Sequence, residues 1–315
     1  MSKARGLADL GNAYSDGALS NRNMIVNGAM KVHQRGDLTG VTGSEIYFVD
    51  RFQLVATDEG TWSLTQEDDA PSGSGFVKSA KLEITTADNI VEVNDYAQLR
   101  YKIENQDFKH LLKGTADAKK LTLSFWVKSS LAQDFPVRIR DNYSSTTRQA
   151  IKSFTVASAN TWQKVEMTFD GDEGGDDFSG AVDTGGNIIV EWLFGAGLNF
   201  QGGTASGTWE DFDNTKFGAT DTFLTTVNST FQITGLQLEV GDTATPFEHR
   251  SYGDELSRCL RYYWRNGASV ENNLYYRYGG HGESISSVQA QVNQFFPVPM
   301  RAHPTLTASG VISWY

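Results

Sequence analysis

The chain has 315 residues, 39% of them hydrophobic and 21% charged. That balance excludes intrinsic disorder and allows one large or two ordinary domains with a sizeable core. A formal net charge of -11 argues against nucleic acid as a partner, and the one cysteine, Cys259, excludes an internal disulfide.

Aromatic residues make up 12% of the chain, with 31 Gly and only 6 Pro. Together with abundant Thr, Ser and Val, this composition points to β-structure. No apolar run reaches the roughly 18 residues that span a bilayer, so membrane insertion is not expected. The N-terminus lacks an apolar h-region, so a secretory signal is not expected either, and synthesis ends in a cytoplasm.

Residues 1–21 are rich in Gly, Ala and Ser and read as an extended arm. From residue 22 strands are expected. "NMIVNGAMKVHQ" carries an Asn27-Gly28 turn signal followed by alternation. "YFVDRFQLVATD" (47–58), "TWSLTQE" (61–67), "FVKSAKLEITT" (76–86) and "EVNDYAQLRYKIE" (92–104) follow, separated by turn residues. "FKHLLKG" (108–114) predicts one or two helical turns closed by Gly114.

"KKLTLSFWVKSS" (119–130) alternates cleanly, with Leu121, Leu123, Phe125 and Val127 on one face and Thr122, Ser124, Trp126 and Lys128 on the other. "PVRIRDN" and "RQAIKSFTVAS" read as a pair, and "TWQKVEMTFDG" (161–171) alternates again. "NIIVEWLFGAG" (187–197) is nearly continuously apolar, as for a central strand. In "FQITGLQLEVG" (231–241) the apolar phase switches at Gly235, which predicts a β-bulge there. After residue 250, Ser251 and Asp254 form a capping signal, and Leu256, Cys259, Leu260 and Tyr263 recur at helical spacing. The remainder returns to strand-like runs and ends on the apolar "VISWY", expected to be paired into a sheet or to continue in a longer chain.

Short strands at roughly 8–12-residue spacing indicate an all-β antiparallel sandwich of jelly-roll type. The expected organisation is an arm (1–21), a β-sandwich (22–250) and a short helix plus a small β region (251–315).

Several stretches, in this order, resemble a bacteriophage family of tail-fibre and virion structural proteins: "NMIVNGAMKVHQRG", "YFVDRFQL", "KKLTLSFWVKSS", "TWQKVEMTF" and above all "QLEVGDTATPFEHRSYGDELSRCLRYYWR". "SKARGLADL" is similar to the start of marine-phage structural proteins. The resemblance covers about residues 22–265. It implies a sandwich of the carbohydrate-binding-module type, attachment of the arm to other virion proteins of tail or capsid, a homo-oligomer such as a trimer, and contact with host surface glycans. It places the protein in a virion assembled in the host cytoplasm.

No G-x-S-x-G elbow, H-E-x-x-H, P-loop or C-x-x-C motif is present, and the five His residues lack ligand spacing, so no catalytic residues are assigned and no enzyme activity is expected. Glu248 and His249 in "PFEHR" would point to opposite faces of an extended segment, whereas Glu248 and Arg250 would share one and could form an ion pair. Exposed aromatic platforms suit the apolar face of a sugar, so Trp62, Trp126, Trp162, Trp192 and Trp209 are considered. Trp126, Trp209 and Trp62 are the candidates retained, Trp126 foremost because it lies on the polar face of its strand. No cofactor is required. Asp170, Asp172, Asp176 and Asp177, with Glu173, supply oxygen ligands that suit a structural Ca²⁺. Tyr262, Tyr263, Trp264, Tyr275 and Tyr276 are candidate oligomer contacts. Two alternatives stand beside the tail-fibre reading: a capsid head fibre or decoration protein, and the sugar-binding module of a carbohydrate-active enzyme.

Overall fold

Period-two alternation recurs along the chain, and each alternating run must bury one face. The computed structural model describes residues 21–265 except 44, 58, 59, 89, 144–146, 187, 204, 214, 216, 217, 219 and 221, the backbone of 282–286 and 289–292, and residues 295–305. Its elements are β1 (Leu38–Val41), β2 (Ile46–Tyr47), β3 (Phe52–Ala56), β4 (Thr61–Glu67), β5 (Ser79–Thr86), β6 (Tyr96–Ile103), β7 (Leu121–Ser129) and β8 (Asp134–Asp141). These are followed by β9 (Arg148–Thr155), β10 (Gln163–Phe169), β11 (Ile188–Ala196), β12 (Glu210–Asp211), α1 (Thr222–Thr225), β13 (Thr230–Val240), α2 (Tyr252–Leu260), β14 (Gly282–Ser286) and β15 (Gln289–Val292).

Two antiparallel sheets form a jelly-roll-type sandwich. One has six strands in the order β1-β4-β5-β13-β7-β10, the other seven in the order β12-β9-β8-β11-β6-β3-β2. The apolar faces meet in an aromatic core. Phe125 lies 5.8 Å from Trp192, and Phe231 lies 5.2 Å from Phe135 and 4.9 Å from Phe194. The β7 faces are as the alternation requires, with Leu121, Leu123, Phe125 and Val127 buried in the core. β11 lies between β8 and β6 and is buried along its whole length. β14 and β15 form a separate two-stranded hairpin.

The Gly235 bulge is present. Register shifts between Thr234 and Gln237 against β7, and Gly235 has φ +65°, the left-handed conformation that glycine adopts without penalty. Three local expectations are corrected. "YFVDRFQLVATD" folds as two strands, β2 and β3, around a turn in which Arg51 has φ 77°. The helical turn near residue 110 is a 3₁₀ turn, Lys109–Leu111, ended by Leu112 at φ 53° rather than by Gly114.

"NMIVNGAMKVHQ" forms no ladder strand, although its Asn27-Gly28 turn exists. Instead it latches onto β13 beyond the bulge. There the Met24 N–H donates to the Leu238 carbonyl and the Leu236 N–H to the Gly28 carbonyl, each at 3.0 Å. A Cβ on Gly28 would come 2.1 Å from the Leu236 oxygen, so only glycine permits this approach. The Asn23 amide donates to the Leu236 carbonyl at 2.9 Å, while its side-chain oxygen accepts from the Leu238 N–H at 3.1 Å.

Candidate functional site

The outer face of the six-stranded sheet collects aromatic and polar groups around Trp126. Alternation along β7 turns Trp126 away from the core, opposite Thr234 on β13 and Lys164 on β10. Its neighbour is the bulge: a Cβ on Gly235 would lie 2.6 Å from the Phe76 ring and 3.1 Å from Trp126 Cδ1. The bulge glycine therefore leaves bare backbone on which both rings rest. Phe76 packs edge-on to Phe247 at 4.9 Å, and His249 lies 5.4 Å from Phe76 at the exposed rim.

A polar group continues the face. Lys128, two residues along β7, pairs with Asp69 and lies 5.3 Å from the Trp162 ring. Trp162 Nε1 donates to Asp69 Oδ1 at 3.2 Å, and Gln232 Nε2 donates to Oδ2 at 3.3 Å. Slight burial opposes ionisation of Asp69, but the hydrogen bonds from Lys128 and Trp162 prevail and hold its carboxyl below the usual range. Trp126 and Trp162 are each half-buried, so each leaves ring surface exposed beside a fixed charge pair. Apolar ring faces beside hydrogen-bonding groups suit a saccharide, which offers C–H faces and hydroxyl edges.

The other sequence candidates are placed elsewhere. Trp62 is corrected: it shares its strand face with Leu64 and is a core residue, 6.0 Å from Phe194 and 6.2 Å from Phe223. Trp192 is likewise in the core. Trp209 packs partly on the core, and its Nε1 donates to the Asp170 carbonyl at 2.7 Å.

The acidic loop does not converge. Asp170 pairs with Lys120 at 2.9 Å, and the Asp177 carboxylate accepts from the Ser179 backbone at 3.0 Å and hydroxyl at 2.6 Å. Asp176 is exposed, and so is Glu173. Asp172 is corrected as a Ca²⁺ ligand: it is buried between Lys113 at 2.9 Å and Arg148 at 2.8 Å, which already balance its charge. Among the described residues no three His, Cys, Asp or Glu side chains form a metal-ligand set.

The described aromatics after α2 each have a partner within the chain. Tyr262 packs over Arg51 at 3.5 Å, Tyr263 over Arg35 at 3.7 Å, and Trp264 edge-on to Phe296 at 5.5 Å, all within the chain. Tyr275 and Tyr276 lie outside the described residues, as do residues 1–20 of the arm and the "VISWY" end.

"PFEHR" is a clasp. The Glu248 carboxylate accepts from the Asn21 and Asn23 N–H groups at 2.9 and 2.8 Å and from Arg250 at 3.2 Å. Arg250 in turn donates to the Ile25 carbonyl at 3.2 Å. His249 points out onto Phe76 and takes no part in the clasp. Asp69 and Phe76, both central to the Trp126 face, went unseen in the sequence. They sit in a turn-rich connection whose position over the sheet no periodicity encodes.

No protein-family model matches the sequence, and no curated protein matches it. Solved structures resemble the fold at low identity. A tailspike protein 4 enzymatically active domain of bacteriophage CBA120 is 12% identical over 70% of this chain, at TM-score 0.38, and this chain spans 22% of it. A family 11 carbohydrate-binding module from Clostridium thermocellum, solved with a mixed-linked β-1,3-1,4 tetrasaccharide, is 13% identical over 68% of this chain and 98% of its own, at 0.32. A xylan-binding family 22 module from Paenibacillus barcinonensis is 9% identical over 70% of this chain and 96% of its own, at 0.32. At these scores the functional assignment rests on the chain's own residues.

Proposed function

We propose that this chain is a non-enzymatic structural protein of a bacteriophage virion, a tail-fibre or related appendage subunit whose sandwich contacts host-surface glycans. The observation that carries the glycan role is the outer face of the six-stranded sheet. There Trp126 and Trp162 flank the Lys128–Asp69 pair, with Phe76, Phe247 and His249 adjoining. The virion role draws on the ordered sequence resemblance, and residues 1–20 are the segment that would attach the protein to its neighbours in the particle.

A glycan array on the full-length protein, followed by titration of the best ligand, tests the face. Trp126→Ala and Trp162→Ala are each expected to weaken binding by about fivefold or more, the loss that accompanies removal of roughly 1 kcal/mol of contact. An array without a ligand, or affinities unmoved by both substitutions, would remove the glycan role from this face. Labelling the protein in electron micrographs of particles distinguishes tail from capsid, and its absence from particles would sink the virion role.

A further inference from the structure

A cleft of about 380 Å³ opens where the residues after α2 lie against β2, β3 and β6. Its size falls at the small end of ligand pockets, about 300–1,000 Å³. Arg35, Arg51, Lys102 and Arg301 line it against two carboxylates, Asp50 and Glu104. Both carboxylates already have partners. Asp50 accepts from the Gln34 backbone and side chain at 2.7 Å each and lies 3.7 Å from Arg35. Glu104 is gripped by both arms of the Arg261 guanidinium at 3.0 Å.

Among the described residues three cations of the cleft, Lys102, Arg51 and Arg301, form no ion pair, and the first two are the more buried. Burial of Lys102, reinforced by neighbouring Arg100, lowers its ammonium below the ordinary value. An incoming anion relieves both penalties. Arg51 is 9% exposed, and its buried Nε has no hydrogen-bond partner among the described residues. Its guanidinium is fixed over the rings of Tyr262 at 3.5 Å and Tyr101 at 4.9 Å, so it needs little further ordering to bind.

We propose that this cleft binds an acidic sugar, with the carboxylate held by Lys102 and Arg51, the hydroxyls by Asp50 and Glu104, and the ring beside Tyr47 and Tyr263. The excess of cations selects an anion. Inorganic phosphate brings one or two P–OH donors on a compact charge that both carboxylates repel, whereas a polyhydroxylated carboxylate sets its charge apart from several hydroxyl donors and engages both signs of charge. The cleft shares no residue with the Trp126 face, and the inference stands or falls apart from it.

Calorimetric titration of the full-length protein with galacturonate, galactose and inorganic phosphate tests it. Galacturonate is expected to bind at least about tenfold more tightly than either of the others. Lys102→Gln is expected to reduce galacturonate affinity about tenfold or more without moving the thermal midpoint, and Trp126→Ala to leave it unchanged. Should Lys102→Gln fail to fold, Arg301→Gln, at an exposed lining position, replaces it with the same expected direction. Equal affinity for galactose or phosphate, undetectable galacturonate binding at millimolar concentration, or an affinity that the lining substitutions do not change would each overturn the assignment.

Discussion

At Glu191 one carboxylate with 0% exposure accepts hydrogen bonds from Gln98 at 2.9 Å, Arg100 at 3.0 Å, Arg138 at 2.7 Å and Arg140 at 3.0 Å. Phe212 lies 5.3 Å from the Arg138 guanidinium and 5.2 Å from that of Arg140, as a lid over the group. Burial opposes the charge, but Arg138, Arg140 and Arg100 overcome it and hold the Glu191 carboxyl well below the usual carboxylate range. The sequence shows the parts of this cluster. Glu191 is the only charge in "NIIVEWLFGAG", and "RIR" places two arginines on one face. It does not show their meeting, which depends on register between strands distant in sequence, Glu191 opposite Arg100 and Arg138. Glu191→Gln would leave three arginines together with their common anion removed. The expected cost is about 3–5 kcal/mol, a fall in thermal midpoint of about 6 °C or more. Because the folded carboxyl titrates below its ordinary value of 4.5, its contribution is complete above that pH and is lost as pH falls through the folded value. The gap in midpoint between parent and variant is therefore expected to be full at pH 7 and to shrink in strong acid; a gap independent of pH would contradict the charge account.

β13 shows at the scale of an element what periodicity can and cannot reveal. The bulge was legible because two apolar phases collide at Gly235, and only a register shift reconciles them with one core. The cap on α2 was legible too: the Ser251 hydroxyl accepts from the Asp254 N–H at 3.2 Å. What covers the open edge of β13 beyond the bulge was not legible. β5 pairs with β13 only from Thr230 to Ile233, and residues 23–28 take over from there without strand geometry. "NMIVNG" and "PFEHR", two pieces of the sequence signature, turn out to be the two sides of one contact. Glu248→Gln removes the charge that holds two backbone N–H groups and Arg250, and is expected to cost about 1.5–3 kcal/mol in urea unfolding. His249→Ala, exposed at the rim, is expected to cost less than about 1 kcal/mol. An equal loss from both would make the pair a unit and revive an acid–base reading of the motif.

For the whole molecule, alternation and turn spacing sufficed for an all-β sandwich, but not for strand order or for sites made where distant segments meet. The Trp126 face joins residues 69, 76, 126, 128, 162, 235, 247 and 249, and the cleft joins residues 35, 47, 50 and 51 with 102 and 104, and with 262, 263 and 301. The same long-range closure ties the first described residues to the sandwich. Asn23, Met24, Ile25 and Asn27 are buried, and Asn27 contributes a network of its own, taking the Val32 N–H at 2.9 Å and donating to the Val32 carbonyl at 2.8 Å. Asn21 is the outermost described residue that the Glu248 clasp holds. On the reading of the N-terminal segment as an extended arm, removing residues 1–20 is expected to leave the thermal midpoint within about 2 °C of the parent while removing incorporation into particles. Removing residues 1–28 also strips the latch from β13 and exposes its backbone edge, and is expected to give protein that unfolds many degrees lower or aggregates through that edge. Circular-dichroism melts and size-exclusion profiles of the two truncations read this difference directly. Equal melting of both would show that residues 21–28 decorate the sandwich rather than close it. Incorporation of the shorter truncation would move the attachment role from the arm to the body.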